Sequence, residues 1–468
     1  MSAVLESAVV VPRPSAARRA TRSGLRLSEL LGALSHALDI AEGQPEGHCV
    51  RCCWIGMQLG EALGLPAHQL HELYYTLLLK DLGCSSNAAR LSALYLTDDL
   101  TFKHDHKIIG DSLPQVLRFV LTHTGQHVGL AERIQGIVAI ARNGGEIATD
   151  LIAARCERGA DIARRLRFSE GVAEGIRNLD EHWDGCGKPA SVAGVGIPMN
   201  ARIALMAQVA DVFHASAGRE AALAEIRLRA GTWFDPDLAV TFESIASEPG
   251  FWDMLASPRL EDIVLDLAPG RLGRAVDEDY LDDIAAAFAG IVDAKSPYTA
   301  GHSSRVADYA DLVAGELGFP AGRRRWLRRA SLLHDIGKLG VSNAILDKPG
   351  RLTAAEWVAV RGHAAQSEAI LSRISAFAAL ARVAGAHHER LDGKGYPRGL
   401  KGDRISMDTR AITVADVYDA LTAKRPYRDA MPAEKALAVM ATEVGSAFDR
   451  QCFEALRSAV TKRRLFEC

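Results

Sequence analysis

Hydrophobic residues recur at helical spacing along nearly the whole chain, with polar residues between them. Val306, Tyr309, Val313 and Leu317 return to one face of a helix that we expect to begin near His302. Ala, Leu, Arg and Glu dominate, and long runs of β-branched residues are few. The pattern therefore predicts an all-α protein.

The chain also repeats itself. Residues 47–66 align without gaps with residues 301–320, and residues 77–84 match 331–338 at the same offset. Three further pairs of segments follow in the same order, namely 182–189 with 390–397, 209–215 with 414–420, and 231–245 with 445–459. Because five blocks keep one order, we predict two homologous helical domains, over residues 25–246 and 278–468.

The segments outside the repeat have their own character. Residues 1–24 mix Ser, Ala, Pro and Arg without periodicity, which predicts a disordered tail. Residues 247–277 are rich in Pro and Gly around a short apolar helix, which predicts a linker. The second and third blocks lie much farther apart in the first copy than in the second. We therefore predict an insertion near residues 86–150.

Composition narrows the classes of function. Of 468 residues, 48% are apolar and 24% charged, as in a soluble globular protein, and the net charge of -3 argues against a general nucleic-acid binder. Apolar runs stay below the roughly 18–20 residues that cross a bilayer, and the start of the chain lacks a basic leader. We predict a cytoplasmic protein with no membrane and no nucleic-acid partner. The eight irregularly spaced cysteines favour reduced thiols.

Candidate metal ligands are concentrated in the last third of the chain. They are His302, His334, Asp335, His363, His387, His388 and Asp416. They lie in apolar helical segments, where an unpaired ionisable group costs several kcal/mol unless a metal or another partner satisfies it. A single histidine of this kind is more often an ordinary core or surface residue, but the set together predicts metal binding.

The arrangement of these donors favours more than one ion. The adjacent pairs His334-Asp335 and His387-His388 point about 100° apart on a helix and can serve two metals. Imidazole and carboxylate donors without cysteine suit iron, manganese, zinc or nickel. Two cations about 3.5–4 Å apart are a common device for hydrolysing phosphate esters. Lys338, one helical turn after His334, could neutralise a phosphoryl oxygen.

Four sequence blocks together carry a family resemblance. They are HDIGK (334–338), HHERLDGKGYP (387–397), and the segments PYTAGHSSRV and ADVYDALTAKRPYR. With these blocks the chain resembles the HD superfamily of metal-dependent phosphohydrolases and, within it, the HD-GYP branch. The resemblance covers residues 290–460 fully and the first copy partially. It implies two tandem HD-type helical bundles, of which the second is catalytic.

The resemblance also implies an activity and a set of site residues. The activity is cyclic di-GMP phosphodiesterase, giving linear pGpG or GMP in bacterial second-messenger signalling. The seven donors would be the metal ligands. The cofactor would be two divalent ions of the iron, manganese or zinc class, because the position of an acidic third-metal ligand in some members is Tyr298 here.

Further site residues are carried over from the same blocks. Lys338 would act on the scissile phosphate beside Asp335. Arg425 and Arg428 would bind phosphates or guanine, and Tyr396 would contact the substrate from a turn at the pocket rim. Asp419, on the same helical face as Asp416, is either a support for the ligands or a surface residue. The basic stretch 323–329 is predicted to be a solvated helix face.

The first copy retains only part of this pattern. His48 aligns with His302, Asp81 with Asp335, and Asp211 with Asp416. Other ligand positions are changed: Lys80 replaces His334, Cys84 replaces Lys338, Leu179 and Asp180 replace the paired histidines, and Cys156 falls near the position of His363. A lysine at a ligand position repels a metal, so we predict a degenerate HD domain that acts as a scaffold or a regulatory module.

Two other functions stay open. One is an HD phosphohydrolase that acts on another nucleotide or cyclic dinucleotide, since the guanine specificity rests on resemblance alone. The other is a non-catalytic signalling adaptor that uses both copies for contacts with a signalling protein or in a homodimer. The complete donor set argues against the adaptor, because protein contacts do not need buried metal ligands.

Overall fold

A computed structural model of the chain describes residues 27–110, 113–126, 128–268, 276–424 and 428–467. In these ranges the regular structure is α-helical and 3-10 helical, without a β-strand. The predicted all-α class is confirmed. The predicted tail over residues 1–24 lies outside the described residues.

The α-helices of the first half are α1 (Leu27–Ala41), α2 (His48–Ala62), α3 (Ala67–Leu79), α4 (Ala88–Tyr95), α5 (Asp99–His106), α6 (Leu113–His123), α7 (Leu130–Arg165), α8 (Glu170–Arg177), α9 (Met199–Ala217), α10 (Arg219–Arg229), α11 (Pro236–Ala246), α12 (Phe251–Leu255) and α13 (Leu260–Asp266). Short 3-10 helices span Cys84–Asn87 and Gly194–Gly196.

The α-helices of the second half are α14 (Glu278–Asp293), α15 (His302–Glu316), α16 (Ala321–Leu333), α17 (Asn343–Leu346), α18 (Ala354–Ser372), α19 (Ala378–Ala384), α20 (Met407–Thr422), α21 (Ala433–Ala441) and α22 (Arg450–Glu467). Short 3-10 helices span Ile336–Gly340, Ser375–Phe377 and Gly402–Arg404.

Each half is built around one central helix, and the two central helices begin in the same way. In the first half α2 packs against α3 and α9, and in the second half α15 packs against α16 and α20. Both central helices follow a glycine in the left-handed region, Gly47 at φ 84° and Gly301 at φ 69°. Glycine enters this region without the steric cost that other residues meet there. The entry places His48 and His302 as the first residues of their helices.

The HD motif lies beyond the end of a helix. α16 ends at Leu333, so His334 and Asp335 occupy a turn, and Ile336–Gly340 form a 3-10 helix. The prediction that Lys338 follows His334 on one face of a continuous helix is therefore wrong. The physical reason is close packing, because a Cβ on Gly337 would lie 2.0 Å from the backbone oxygen of His363 in α18. Only glycine allows the turn to approach α18 so closely.

The predicted insertion and linker are both folded where they are described. α4, α5, α6 and the first half of α7 occupy the insertion near residues 86–150. In the predicted linker, α12 and α13 pack on the first half, where Phe251, Leu255, Leu260 and Val264 are buried. α1 also packs against Ile336–Gly340 and α18, so the two halves are in direct contact beside the HD motif.

Membrane and thiol features of the described chain are simple. None of the helices that the structure describes has the length and hydrophobicity needed to cross a bilayer. Within the same ranges seven cysteines are free thiols, and all of these except Cys186 are buried.

Candidate metal centre

The structure brings the seven predicted ligands together in one centre. They come from α15, from the turn after α16, from α18, from the turn after α19 and from α20. Six of them are buried, and His388 is half-buried. Overlapping groups of three among these residues place their donor atoms within 4.8 Å of one another. The residues that carry the family resemblance therefore form one cluster.

One half of the centre lies around the Oδ2 atom of Asp335. This oxygen is 3.3 Å from Nε2 of His302 and 3.3 Å from Nε2 of His334. Oδ1 of Asp416 lies 3.4 Å from the same nitrogen of His302 and 3.9 Å from that of His334. Two imidazoles and two carboxylates thus face a common point.

The other half lies around the second oxygen of Asp335. Its Oδ1 is 3.3 Å from Nε2 of His363 and 3.7 Å from Nε2 of His387. His388 completes a donor group with these two histidines, and its Nδ1 is 3.9 Å from Oδ2 of Asp416. Because Asp335 presents one oxygen to each half, it has the geometry of a bridging carboxylate.

Hydrogen bonds on the far side of the imidazole rings fix their orientation. Nδ1 of His302 donates to Asp419 over 2.7 Å. His334, His363 and His387 donate from Nδ1 to the backbone oxygen three residues earlier, over 2.6, 2.5 and 2.6 Å. An imidazole that donates from Nδ1 presents the lone pair of Nε2, as a metal ligand does. All four rings are therefore directed at the centre.

Unsatisfied atoms show that these residues fit a metal. Nε2 of His302, Nε2 of His334 and Oδ1 of Asp335 are buried and lack a hydrogen-bond partner in the described structure. Buried polar atoms of this kind are costly unless something else satisfies them. Divalent cations bound by imidazole and carboxylate would satisfy all three atoms.

The charges of the centre differ between its two halves. Burial lowers the pKa of His388 to about 3 and that of His387 well below its ordinary value, so both are neutral donors. Burial also lowers the pKa of His302, but the neighbouring carboxylates of Asp335, Asp416 and Asp419 outweigh it and raise the value to about 10. Carboxylates thus surround His302 with negative charge that a cation would balance.

Lys338 and Asp419 lie beside the ligands. The ammonium group of Lys338 forms an ion pair with Asp335, and 17% of its side chain is exposed. Asp419 is buried, and it also accepts hydrogen bonds of 2.6 and 3.1 Å from Arg305. Asp419 therefore supports His302 and is not a surface residue. Its spacing of three residues from Asp416 on α20 was the available signal, whereas Arg305 was not predicted.

Aromatic and cationic side chains line the rim. The ring centroid of Tyr396 lies 4.8 Å from that of His388. The guanidinium of Arg361 lies 5.4 Å from the Tyr396 ring and 5.7 Å from the ring of Trp357, which is 47% exposed. Neither Arg361 nor Trp357 was predicted, because α18 brings them to the rim only once it packs beside the turn at Tyr396.

Of the two arginines predicted to bind substrate from the RPYR segment, the structure describes one. Arg425 lies outside the described residues. Arg428 donates from Nη2 to the backbone oxygen of Ala420 over 2.6 Å, so this nitrogen binds the last turns of α20. Its Nε atom is buried without a partner in the described structure.

In the first half of the chain, lysine and arginine side chains lie where the second half has metal-donor residues. Lys80, at the position of His334, places its ammonium 3.0 Å from Nε2 of His48 and in an ion pair with Asp81. Although burial lowers the pKa of Lys80, Asp81 raises it well above its ordinary value, so the ammonium stays charged. Arg155 forms an ion pair with Asp180 where the second copy has His363 and His388.

Contacts correct the alignment of the first copy at two positions. A Cβ on Gly83 would lie 1.9 Å from the backbone oxygen of Arg155, just as Gly337 contacts His363. Arg155, and not Cys156, therefore occupies the His363 position.

The second correction concerns Asp211. It accepts hydrogen bonds from His48 and Arg51 over 2.7 Å each, as Asp419 does from His302 and Arg305. Its alignment with Asp416 is wrong by three residues, because both copies contain a Val-Ala-Asp triplet. Gln208 occupies the Asp416 position.

Comparison with known proteins places the chain in a family. The family described as HD domain matches residues 141–238 and 287–452, more than half of the chain. The chain belongs to the HD-domain family. The predicted membership is confirmed. The two halves described above are called the first and the second HD domain below. The relatives below are consistent with the HD-GYP branch.

Several HD-domain relatives are named as phosphodiesterases. A 3'3'-cGAMP-specific phosphodiesterase 3 of Vibrio cholerae is 55% identical over 93% of this chain and 94% of its own length. A cyclic di-GMP phosphodiesterase response regulator of Xanthomonas campestris is 39% identical over 34% of this chain and 42% of its own length. The crystal structure of a cyclic GMP-AMP specific phosphodiesterase of V. cholerae matches with a TM-score of 0.65 and 50% identity, covering 94% of this chain and 98% of that one.

Proposed function

We propose that the second HD domain is a metal-dependent phosphodiesterase that hydrolyses 3'3'-cyclic GMP-AMP. The observation that carries the proposal is the single buried centre in which Asp335 faces two groups of donors. The substrate is taken from the V. cholerae phosphodiesterase, which is similar over 93% of the chain and therefore through both HD domains.

The proposed cofactor is a pair of divalent cations. His302, His334, Asp416 and one oxygen of Asp335 would hold one ion, and His363, His387, His388 and the other oxygen would hold the second. Iron, manganese and zinc all suit this donor set. When bound, such ions supply a nucleophilic water near neutral pH and neutralise charge on the phosphoryl oxygens.

The chain's own residues would position the substrate and complement its charge. Lys338 is partly exposed beside Asp335, where its ammonium can donate to a phosphoryl oxygen. Arg361, Trp357 and Tyr396 form a rim on which a nucleobase can stack, since guanidinium and aromatic faces both bind bases in this way. Arg425 and Arg428 remain proposed contacts to phosphate or base.

A second candidate substrate is cyclic di-GMP. The HDIGK, HHE, GYP and RPYR blocks favour it, and so does the 39% identity with the X. campestris phosphodiesterase over 34% of the chain. The two substrates differ in one base, so the phosphodiester chemistry is the same for both. The relative that spans both HD domains is named for cyclic GMP-AMP, which decides our order of preference.

We also propose the division of the chain into a degenerate HD domain over 25–246, a connecting segment over 247–277 and a catalytic domain over 278–468. The repeated contacts of His48 and His302 with an aspartate and an arginine support this division. The internal cations Lys80 and Arg155 support a first domain that needs no metal.

The test compares substrates and metals in the full chain. Protein is prepared with iron(II), manganese or zinc and is mixed separately with 3'3'-cyclic GMP-AMP, with cyclic di-GMP and with a panel of other nucleotides. Turnover is followed by chromatography of the products. The control is Asp335→Ala, which removes the carboxylate shared by both halves.

Each class of function gives a different result. Cleavage of cyclic GMP-AMP with the higher kcat/KM, abolished in the control, supports the proposal. A higher kcat/KM for cyclic di-GMP supports the second candidate, and cleavage of other nucleotides alone rejects both. Inactivity of the chain with every metal supports the adaptor.

A further inference from the structure

A series of buried, oppositely charged side chains crosses from the first HD domain into the second. Its central member is Asp99, the first residue of α5, whose side chain is fully buried. Its Oδ2 lies 3.2 Å from Nζ of Lys295, and its Oδ1 accepts a hydrogen bond of 2.7 Å from the backbone N–H of Asn343. Both partners belong to the second domain, and each is 1% exposed. One carboxylate of the first domain thus holds two segments of the second.

The segment after Lys295 leads directly to the ligand His302. The N–H of Thr299 donates a hydrogen bond of 3.1 Å to the backbone oxygen of Ser296 and closes one turn. The N–H of His302 donates one of 2.9 Å to the backbone oxygen of Thr299 and closes the next turn. The hydroxyl of Thr299 also donates to the backbone oxygen of Asp293 over 3.0 Å. Two consecutive closed turns leave little freedom between Lys295 and His302, so a shift of one moves the other.

The segment before Asn343 leads back to the bridging Asp335. The N–H of Val341 bonds to the backbone oxygen of Lys338 over 3.0 Å, and the N–H of Lys338 bonds to that of Asp335 over 2.8 Å. The side-chain amide of Asn343 donates to the backbone oxygen of Lys295 over 2.7 Å, which joins the two held segments. Asp99 therefore contacts the start of two short segments, one leading to His302 and the other to Asp335.

On its other side Asp99 is connected to the remnant centre of the first domain. Lys103 lies 4.0 Å from Asp99 and 3.3 Å from Glu42, and Lys107 lies 3.0 Å from Glu42 and 3.8 Å from Asp81. The signs of the charges alternate along the whole series. Because a buried charge is strongly destabilising when its partner is lost, the series fixes α5 between the two centres.

We propose that Asp99 is a positioning residue for the catalytic centre of the second HD domain. The proposal rests on the proposed function of that centre, and it gives the degenerate domain a role there. The insertion of the first domain supplies the carboxylate that sets the spacing between the segments leading to His302 and Asp335. A first domain that merely covered the second would not need a buried acceptor at this place.

The test uses two double variants of the full chain. Asp99→Asn with Lys295→Met removes both charges but keeps an acceptor oxygen for the N–H of Asn343. Asp99→Ala with Lys295→Met removes the same charges and the acceptor. We measure kcat and KM for 3'3'-cyclic GMP-AMP, the affinity for manganese by competition with a fluorescent chelator, and the melting temperature. Asp283→Asn, which removes an exposed ion pair with Arg167, is the control.

We expect the alanine double variant to lose kcat and manganese affinity by about tenfold or more, the size of effect typical of groups that orient metal ligands. The asparagine double variant should stay within about threefold of the wild type, because the acceptor remains. If both double variants keep wild-type kcat and manganese affinity and only melt earlier, Asp99 is a structural residue and the proposal is rejected. A wild type that binds manganese but cleaves no cyclic dinucleotide rejects the proposed function alone, since the affinity comparison still tests the positioning.

A second pair of variants tests the same hydrogen bond from the other side, in case the alanine double variant does not fold. Asn343 is the first residue of α17, a position where proline is tolerated, and the preceding Ser342 is extended. Asn343→Pro removes the N–H that bonds to Asp99, whereas Asn343→Ala keeps it, and both lose the side-chain amide. A lower manganese affinity in the proline variant than in the alanine variant supports the proposal, and equal affinities reject it.

Discussion

His48 and His302 occupy the same position in the two HD domains, yet their pKa values move in opposite directions. Each ring donates from Nδ1 to an aspartate over 2.7 Å. Burial and the ammonium of Lys80 lower the pKa of His48 to about 4. For His302 burial has the same sign, but the surrounding carboxylates raise the pKa to about 10. The neighbours of the ring, and not its place in the fold, therefore decide its charge.

The scaffold around the two histidines is otherwise the same. Glu181 accepts hydrogen bonds of 2.6 and 3.0 Å from two backbone N–H groups. Glu389 accepts hydrogen bonds of 2.7 and 2.8 Å from the equivalent pair of backbone N–H groups. Arg202 pairs with Asp235 as Arg410 pairs with Asp449. The first domain has other residues at several of the seven donor positions, but it has the same supports. The scaffold of an HD domain can thus persist when internal cations neutralise the remaining carboxylates.

The largest expected difference between the domains is at the shared aspartate position. Asp335→Ala removes the carboxylate that faces both halves of the metal centre. We expect hydrolysis to fall by about 10³-fold or more, because the ions contribute several kcal/mol to stabilising the transition state. Metal analysis of the purified variant should show a matching loss of bound ions. Retention of both activity and metal would mean that the ions are held elsewhere.

The equivalent change in the first domain is expected to act on stability and not on catalysis. Asp81→Ala leaves the buried cations Lys80 and Lys107 without their shared carboxylate. We expect unfolding free energy to fall by about 3–5 kcal/mol, which is the cost of breaking a buried ion pair by removing one partner. Urea unfolding measures this loss, while kcat below the transition should stay within about twofold of wild type. A larger loss of kcat would contradict the expectation that Asp81 acts on stability alone.

The sequence predicts the fold class, and it also names the residues that the structure brings into one cluster, because both depend on patterns that are local along the chain. Helical periodicity marks the helices, and motif spacing marks the ligands. Two features depend on packing instead. The HD pair lies in a turn because Gly337 packs closely against α18. Asp211 is the counterpart of Asp419 because each contacts the histidine that begins the central helix of its domain. Neither contact is visible in the order of residues.

A third comparison concerns these two orienting aspartates. Asp419→Asn should weaken the orientation of His302, and we expect activity to fall by about 10- to 100-fold, as for other groups that hold metal-binding histidines. The matched change Asp211→Asn removes the same contact to His48 in a domain without the metal centre. Its kcat should equal that of the wild type. Manganese affinity provides a second measurement, and equal losses in the two variants would contradict the assignment of Asp419.

The smallest expected effect is at the rim, which differs between the domains in size and charge. Arg361 lies over Tyr396 and beside Trp357, whereas Lys188 replaces the tyrosine in the first domain. Arg361→Ala should raise KM for a cyclic dinucleotide by about tenfold, since stacking on one base contributes about 1–3 kcal/mol. Because the metal ligands are untouched, kcat should change little. Arg361→Lys keeps the positive charge without the planar face, so a KM near that of the alanine variant would assign the effect to stacking, and a KM near wild type would assign it to charge.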